Sequence, residues 1–123
     1  MPTRILCADA DPDTLHLVSL KLTRMGYLVT PAGDGREALT RIRAEKPDLI
    51  IMDYFLPVIA GDEVCRTVKS DPAPKGIPII LLSASAAMLP PEVCAAIPCE
   101  ERLNKPFDMP VLLEKVSRLA PLS

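Results

Sequence analysis

Short apolar runs alternate with amphipathic stretches along the whole chain. The runs are Arg4 to Asp9, Tyr27 to Thr30, Asp48 to Asp53 and Ile77 to Leu82, with a weaker one near Glu101 to Leu103. The cores of the strong runs, Ile5-Leu6-Cys7-Ala8 and Leu49-Ile50-Ile51-Met52, are continuous rather than alternating. Continuous apolar runs of this length are the mark of strands covered on both faces, as in parallel sheets. Between them, apolar residues recur at helical spacing. Leu15, Val18, Leu22 and Met25 form one stripe. Asp11 can cap that helix, Pro12 suits its first turn, Asp13 favours its positive end, and Gly26 closes it.

A second helix is predicted over Arg36 to Glu45, after the loop Gly33-Asp34-Gly35, with Ala38, Leu39 and Ile42 inward. Lys46-Pro47 stops it. A short third helix covers Asp62 to Lys69, and Ser70 to Gly76 reads as a loop. Pro90 and Pro91 open a helix through Ile97, and Pro98 ends it. The last helix runs from Asp108 to Leu119, with Val111, Leu112, Val116 and Leu119 inward and Asp108 as its cap. Strand and helix alternate five times. This predicts an α/β fold, a parallel sheet with helices on both faces.

The length of 123 residues fits a single domain, residues 1–123, large enough to bury a core without disulfides. The net charge of −2 removes the electrostatic case for direct nucleic-acid binding. No stretch has the length of a membrane span, and the N-terminus lacks a signal-like apolar region, so a cytoplasmic protein is expected. The four cysteines, Cys7, Cys65, Cys94 and Cys99, contain no C-x-x-C pair, and the one histidine, His16, belongs to the exposed side of the first helix. That spacing argues against zinc and for reduced packing thiols, with redox chemistry at Cys94 and Cys99 as the alternative. Met88 reads as core.

The chemistry gathers at the strand ends. Asp9 follows the first run, Asp53 ends the third, Ser83 follows the fourth, and Lys105-Pro106-Phe107 follows the last. Open α/β sheets place ligand sites at the carboxyl ends of their strands. Two acids, a hydroxyl and an ammonium there are the parts for handling one phosphoryl group and one divalent metal.

In order and spacing, the chain resembles the receiver domains of two-component response regulators. The carrying segments are Arg4 to Asp9, Asp34 to Leu39, Pro47 to Asp53, Leu56-Pro57 with Gly61, Ile77 to Ala84, and Lys105-Pro106-Phe107. The resemblance spans Arg4 to Leu119. It implies a flavodoxin-like, doubly wound, five-stranded parallel sheet of order 2-1-3-4-5. It matches Asp53 to the phosphoacceptor and Asp9 to a carboxylate that helps hold Mg²⁺. It matches the backbone carbonyl of Phe55 to a metal ligand, Ser83 to the switch hydroxyl, Lys105 to the active-site lysine, and Lys105–Pro106 to a peptide bond usually cis.

The implied function is phosphorelay signalling. A histidine kinase or histidine phosphotransfer protein would supply a phosphoryl group from phosphohistidine to Asp53. The charge change would then alter a surface read by a downstream protein target. Catalysis would extend only to the chain's own phosphorylation and autodephosphorylation. Mg²⁺ is required because donor and nucleophile are both negative. No output domain is expected after Leu119. Simpler roles compete: Asp9 as a helix cap, Lys105 as a loop lysine, Ser83 as a hydroxyl bonded to backbone. Leu17 and Leu20 lie off the main stripe of the first helix, where partner docking and ordinary packing are both open.

Three departures mark this chain. Ala10 stands where the family places a second acid, which implies weak Mg²⁺ binding and slow phosphorylation; Asp11 is adjacent but is expected to point toward the helix start. Arg102 stands where the family usually has an aromatic that moves inward behind the switch hydroxyl, so an exposed, partner-contacting Arg102 and an altered relay are expected. Ala60 stands where an acid commonly precedes the glycine. Ala10 and Arg102 support an alternative reading, a pseudo-receiver acting as a phosphorylation-independent interaction module. A flavodoxin-like cofactor binder is disfavoured, because the acidic loop Asp9 to Asp13 would repel a flavin phosphate.

Overall fold

The structure, a computed structural model, describes residues 3–71, 76–83 and 91–122. In chain order the elements are β1 (Arg4–Ala8), α1 (Pro12–Arg24), β2 (Leu28–Ala32), α2 (Gly35–Glu45), β3 (Leu49–Asp53), α3 (Gly61–Ser70), β4 (Ile79–Ser83), α4 (Pro91–Ala96), β5 (Glu101–Asn104) and α5 (Met109–Leu119). The five strands form one parallel sheet in the order β2-β1-β3-β4-β5. This is the expected doubly wound architecture.

The continuous apolar runs are explained by two cores on one sheet. Successive strand residues point to opposite faces. Leu6, Ala8, Ile50, Met52, Ile79 and Leu81 pack on one face, under α2 and α3 through Ala38, Ile42, Val64, Cys65 and Val68. Ile5, Cys7, Leu49, Ile51, Ile80 and Leu82 pack on the other, under α1 and α5 through Val18, Leu22, Leu112 and Val116. Every residue of β3 and β4 is buried, and polar residues enter these two strands only at their carboxyl ends, as Asp53 and Ser83.

The helix caps largely follow the expectation. Asp11 accepts from the Asp13 backbone N–H and the Thr14 hydroxyl at 3.1 and 2.7 Å, so its carboxylate does point toward the helix start. Asp34 accepts from Glu37 N–H at 2.7 Å, and the Glu37 carboxylate returns to Gly33 N–H at 3.1 Å. Each closes an otherwise orphan donor at α2. With Ala60 as N-cap, α3 starts without a side-chain cap.

Several expectations are corrected. β2 continues through Pro31 to Ala32 instead of stopping at Thr30. It is the edge strand, where a residue lacking an N–H can face solvent at no cost to the ladder. Asp108 occupies the N-cap position of α5, but its side chain makes no cap hydrogen bond. Val111 is 39% exposed rather than inward, because the buried stripe of α5 runs through Leu112 and Val116. Leu17 and Leu20 are exposed, which removes the packing reading for both. Cys99 packs against the cluster holding Cys65. Met88, Ala84, Pro90, the 72–75 part of the loop and the Cys94 side chain lie outside the described residues.

Candidate phosphoacceptor site

The site is built by four neighbouring strand ends. Asp9 follows β1, and its N–H donates to the Ala32 carbonyl at 3.1 Å. Asp53 is the last residue of β3, and Tyr54 N–H donates to the Leu82 carbonyl at 2.7 Å. Ser83 closes β4, and its carbonyl accepts from Lys105 N–H at 2.7 Å, just past β5. Parallel register therefore brings residues 9, 53, 83 and 105 to one rim. The Lys105–Pro106 bond is cis, as the resemblance implied.

The side chains converge as well. Lys105 Nζ donates to Asp9 Oδ2 at 2.7 Å and to Asp53 Oδ2 at 3.0 Å. Asp9 and Asp53 are 2% and 7% exposed, so both carboxylates depend on protein partners for solvation. Asp9 Oδ1 accepts from Asp11 N–H at 2.9 Å, and Asp53 Oδ1 from Phe55 N–H at 3.3 Å. Ser83 Oγ, also buried, donates to Asn104 Oδ1 at 3.3 Å. Of the residues singled out from sequence, Asp9, Asp53 and Lys105 are thus in direct contact, Ser83 lies on the adjoining strand end, and Phe55 follows the acceptor closely. Arg102 does not belong to the cluster. It is exposed, and its guanidinium donates to the Ile97 carbonyl beyond α4.

Two acids against one ammonium leave an excess negative charge. Burial pushes the Asp53 carboxyl above its ordinary range, the Asp9 charge adds to this, and the Lys105 hydrogen bond opposes it. Burial alone would lower Lys105, but its hydrogen bonds to Asp9 and Asp53 outweigh that and hold the ammonium above its usual value. The Asp11 carboxyl is held low by the Thr14 hydroxyl and the Asp13 N–H.

The loop after Asp53 is set by close backbone packing. A Cβ at Gly61 would lie 2.2 Å from the Asp53 carbonyl oxygen and 2.8 Å from Tyr54 Cα, so only glycine lets α3 begin there. A Cβ at Gly35 would lie 1.8 Å from the Ile59 carbonyl oxygen. Ile59 N–H donates to the Pro57 carbonyl at 2.8 Å across Val58, whose φ is +71°. That is a γ-turn of the rare, strained hand, and its central residue is β-branched and 73% exposed. Beside the rim, a cavity of about 490 Å³ is lined by Asp11, Thr14, Leu17, Val18, Lys105, Pro106, Phe107 and Met109.

Sequence reasoning missed Asn104, Val58 and this cavity. Asn104 had one available signal, its place between the last strand and Lys105. Val58 had none, since a valine does not advertise a positive φ. Among the described residues, no three His, Cys, Asp or Glu side chains converge as a metal cluster, and no helix is long and apolar enough to cross a membrane.

The family described as the response regulator receiver domain matches residues 5–117. The chain is 32% identical over 116 residues to the DNA-binding response regulator MtrA of Mycolicibacterium smegmatis, covering 94% of this chain and 50% of that protein. It thus spans about half the length of the curated relatives it matches. Chemotaxis response regulator CheY4 of Vibrio cholerae superposes with a TM-score of 0.85 at 30% identity, over 97% of this chain and 99% of that one. The receiver domain of sensor histidine kinase PA1611 from Pseudomonas aeruginosa, which holds a magnesium ion in its active-site cleft, superposes with a TM-score of 0.87 at 28% identity, over 97% and 98%. Receiver domains bind Mg²⁺ there and interact with histidine kinases or phosphotransfer proteins. With its fold, its rim of strand-end residues and its matched span in agreement, the chain belongs to the receiver-domain family of two-component response regulators.

Proposed function

We propose that Asp53 is the phosphoacceptor of this receiver and that phosphohistidine on a kinase or phosphotransfer protein is its donor. The observation that carries the reading is the Lys105 ammonium bridging Asp9 and Asp53 at the rim of the sheet. In the transfer, an Asp53 carboxylate oxygen attacks phosphorus, the bond to the donor nitrogen breaks, and an acyl phosphate forms. Lys105 balances charge on the acyl oxygen and the incoming phosphoryl group. Ser83 exchanges its bond with Asn104 for a phosphoryl oxygen, which draws the end of β4 toward the new charge. Water later cleaves the acyl phosphate, which limits the lifetime of the signal.

The donor set fits Mg²⁺. Asp9, Asp53 and the Phe55 carbonyl offer oxygen only, and Mg²⁺ takes one or two carboxylates together with waters and phosphate. When bound, the ion neutralises charge between the anionic donor and the anionic acceptor. Ala10 contributes no carboxylate and Asp11 is committed to its cap, so the ion is held weakly. Arg102 stays at the surface, anchored to Ile97, and the relay behind Ser83 runs without an inward-moving aromatic. The exposed Leu17 and Leu20 on α1 serve partner docking.

The test is intact-mass measurement after incubation with acetyl phosphate and Mg²⁺. The wild type gains one phosphoryl group, and Asp53→Asn gains none. An unmodified wild type, or an adduct that survives in Asp53→Asn, overturns the proposal.

A further inference from the structure

The parallel pairing of β4 with β5 sets Ser83 opposite Asn104. Residues paired in this way project to the same face of a sheet, and here the side chains meet: Ser83 Oγ donates to Asn104 Oδ1 at 3.3 Å. The backbone fixes the approach, because Lys105 N–H donates to the Ser83 carbonyl at 2.7 Å. Two consecutive residues thus hold two parts of the site. Lys105 holds the Asp53 carboxylate at 3.0 Å, and Asn104 holds the Ser83 hydroxyl. The two contacts respond differently to an incoming phosphoryl group. An ammonium has three donors and can keep Asp53 while it takes a phosphoryl oxygen. A hydroxyl has one proton. A phosphoryl oxygen only accepts, so Ser83 can serve it only by leaving Asn104.

We infer that Asn104 is a latch that holds the Ser83 hydroxyl away from the phosphoryl position and so sets how tightly the site takes a phosphoryl group. The inference rests on Asp53 being the phosphoacceptor and Ser83 the hydroxyl that follows the new charge. Ser83 is 7% exposed, so in the resting site its proton depends on a protein acceptor. Asn104 is exposed, so water meets its amide when the latch opens. Opening therefore costs one hydrogen bond and strands no polar group. At 3.3 Å that bond is long for a hydroxyl donor. It yields to an anionic oxygen, since charge-assisted hydrogen bonds are about twice as strong as neutral ones. Asn104 is a positioning residue: it acts through Ser83 and touches no reacting atom.

The experiment titrates the intact chain with beryllofluoride, a phosphoryl mimic, at saturating Mg²⁺, with calorimetric affinity as the readout. Asn104→Leu keeps a side chain of similar shape and removes the acceptor; Asn104→Ala removes it with less bulk. Losing one neutral hydrogen bond from the resting state alone is worth roughly a fivefold change, so both variants bind the mimic roughly fivefold more tightly. In a Ser83→Ala background the same two substitutions leave the affinity unchanged, because no hydroxyl remains to be held. A general change of shape or stability at β5 persists in that background, so an equal gain there overturns the latch. Unchanged affinity in both single variants also overturns it. So does weaker binding, the sign expected if the Asn104 amide turns its N–H groups to support Ser83 in the bound state. A wild type that takes no mimic overturns the inference together with the phosphoacceptor assignment.

Discussion

Replacing Ala10 by aspartate tests how the charge of this pocket governs metal binding. The native rim has two carboxylates, Asp9 and Asp53, both held by Lys105. Ala10 is exposed, so a longer side chain meets no packing obstacle. Asp11 cannot substitute, because its carboxylate is tied to the start of α1. A carboxylate about 4 Å from a divalent ion gains about 2 kcal/mol even at the dielectric constant of water. Ordering the new side chain takes back about 0.5 kcal/mol. The net is about 1.5 kcal/mol, so Ala10→Asp binds Mg²⁺ roughly tenfold more tightly. Without metal the same carboxylate adds to the excess negative charge and costs about 1 kcal/mol, or about 4 °C in Tm for a domain of this size. Calorimetric Mg²⁺ titration and thermal melts with and without Mg²⁺ measure both effects. The two must have opposite signs: lower stability without the ion, tighter binding with it. Unchanged Mg²⁺ affinity in a folded Ala10→Asp protein refutes the reasoning.

Three further outcomes are expected. Val58→Gly removes the strained γ-turn at φ +71°; relief of about 1–3 kcal/mol less the entropic cost of glycine leaves about 1 kcal/mol of stabilisation, read as a Tm rise of about 4 °C. Gly61→Ala drives a Cβ into the Asp53 backbone, at 2.2 Å from its carbonyl oxygen, and lowers urea-unfolding stability by about 2 kcal/mol despite the better helix former. Asp53→Asn gains stability over wild type at neutral pH. The raised carboxyl means the native state binds its proton more tightly than the unfolded state, so wild-type stability falls as pH rises through the native pKa. The difference shrinks in acid, and equal stabilities across a pH series count against the burial argument.

What could be read from the chain in advance follows from its physics. β1, β3 and β4 stand out because a strand buried on both faces must be apolar at every position, and parallel sheets need helices between strands. Once the strand ends are located, the fold class assigns Asp9, Asp53, Ser83 and Lys105 to one rim. Local composition misled where tertiary context overrides it. The second strand reads as ending at Thr30, yet at the sheet edge β2 runs on through Pro31 to Ala32. Val111 reads as core, yet the rotation of α5 leaves it exposed.

The amino-acid order by itself determined the alternation of strands and helices, the acids and the lysine at their ends, and the missing acid at Ala10, since each is local in the chain. Only the tertiary structure decided that one ammonium bridges Asp9 and Asp53, that Gly61 admits α3 against the acceptor backbone, that Val58 bears strain, and that an apolar recess with an acidic edge adjoins Lys105. Those features are distances between residues far apart in sequence, fixed by parallel register and helix packing. No local pattern encodes a distance of that kind.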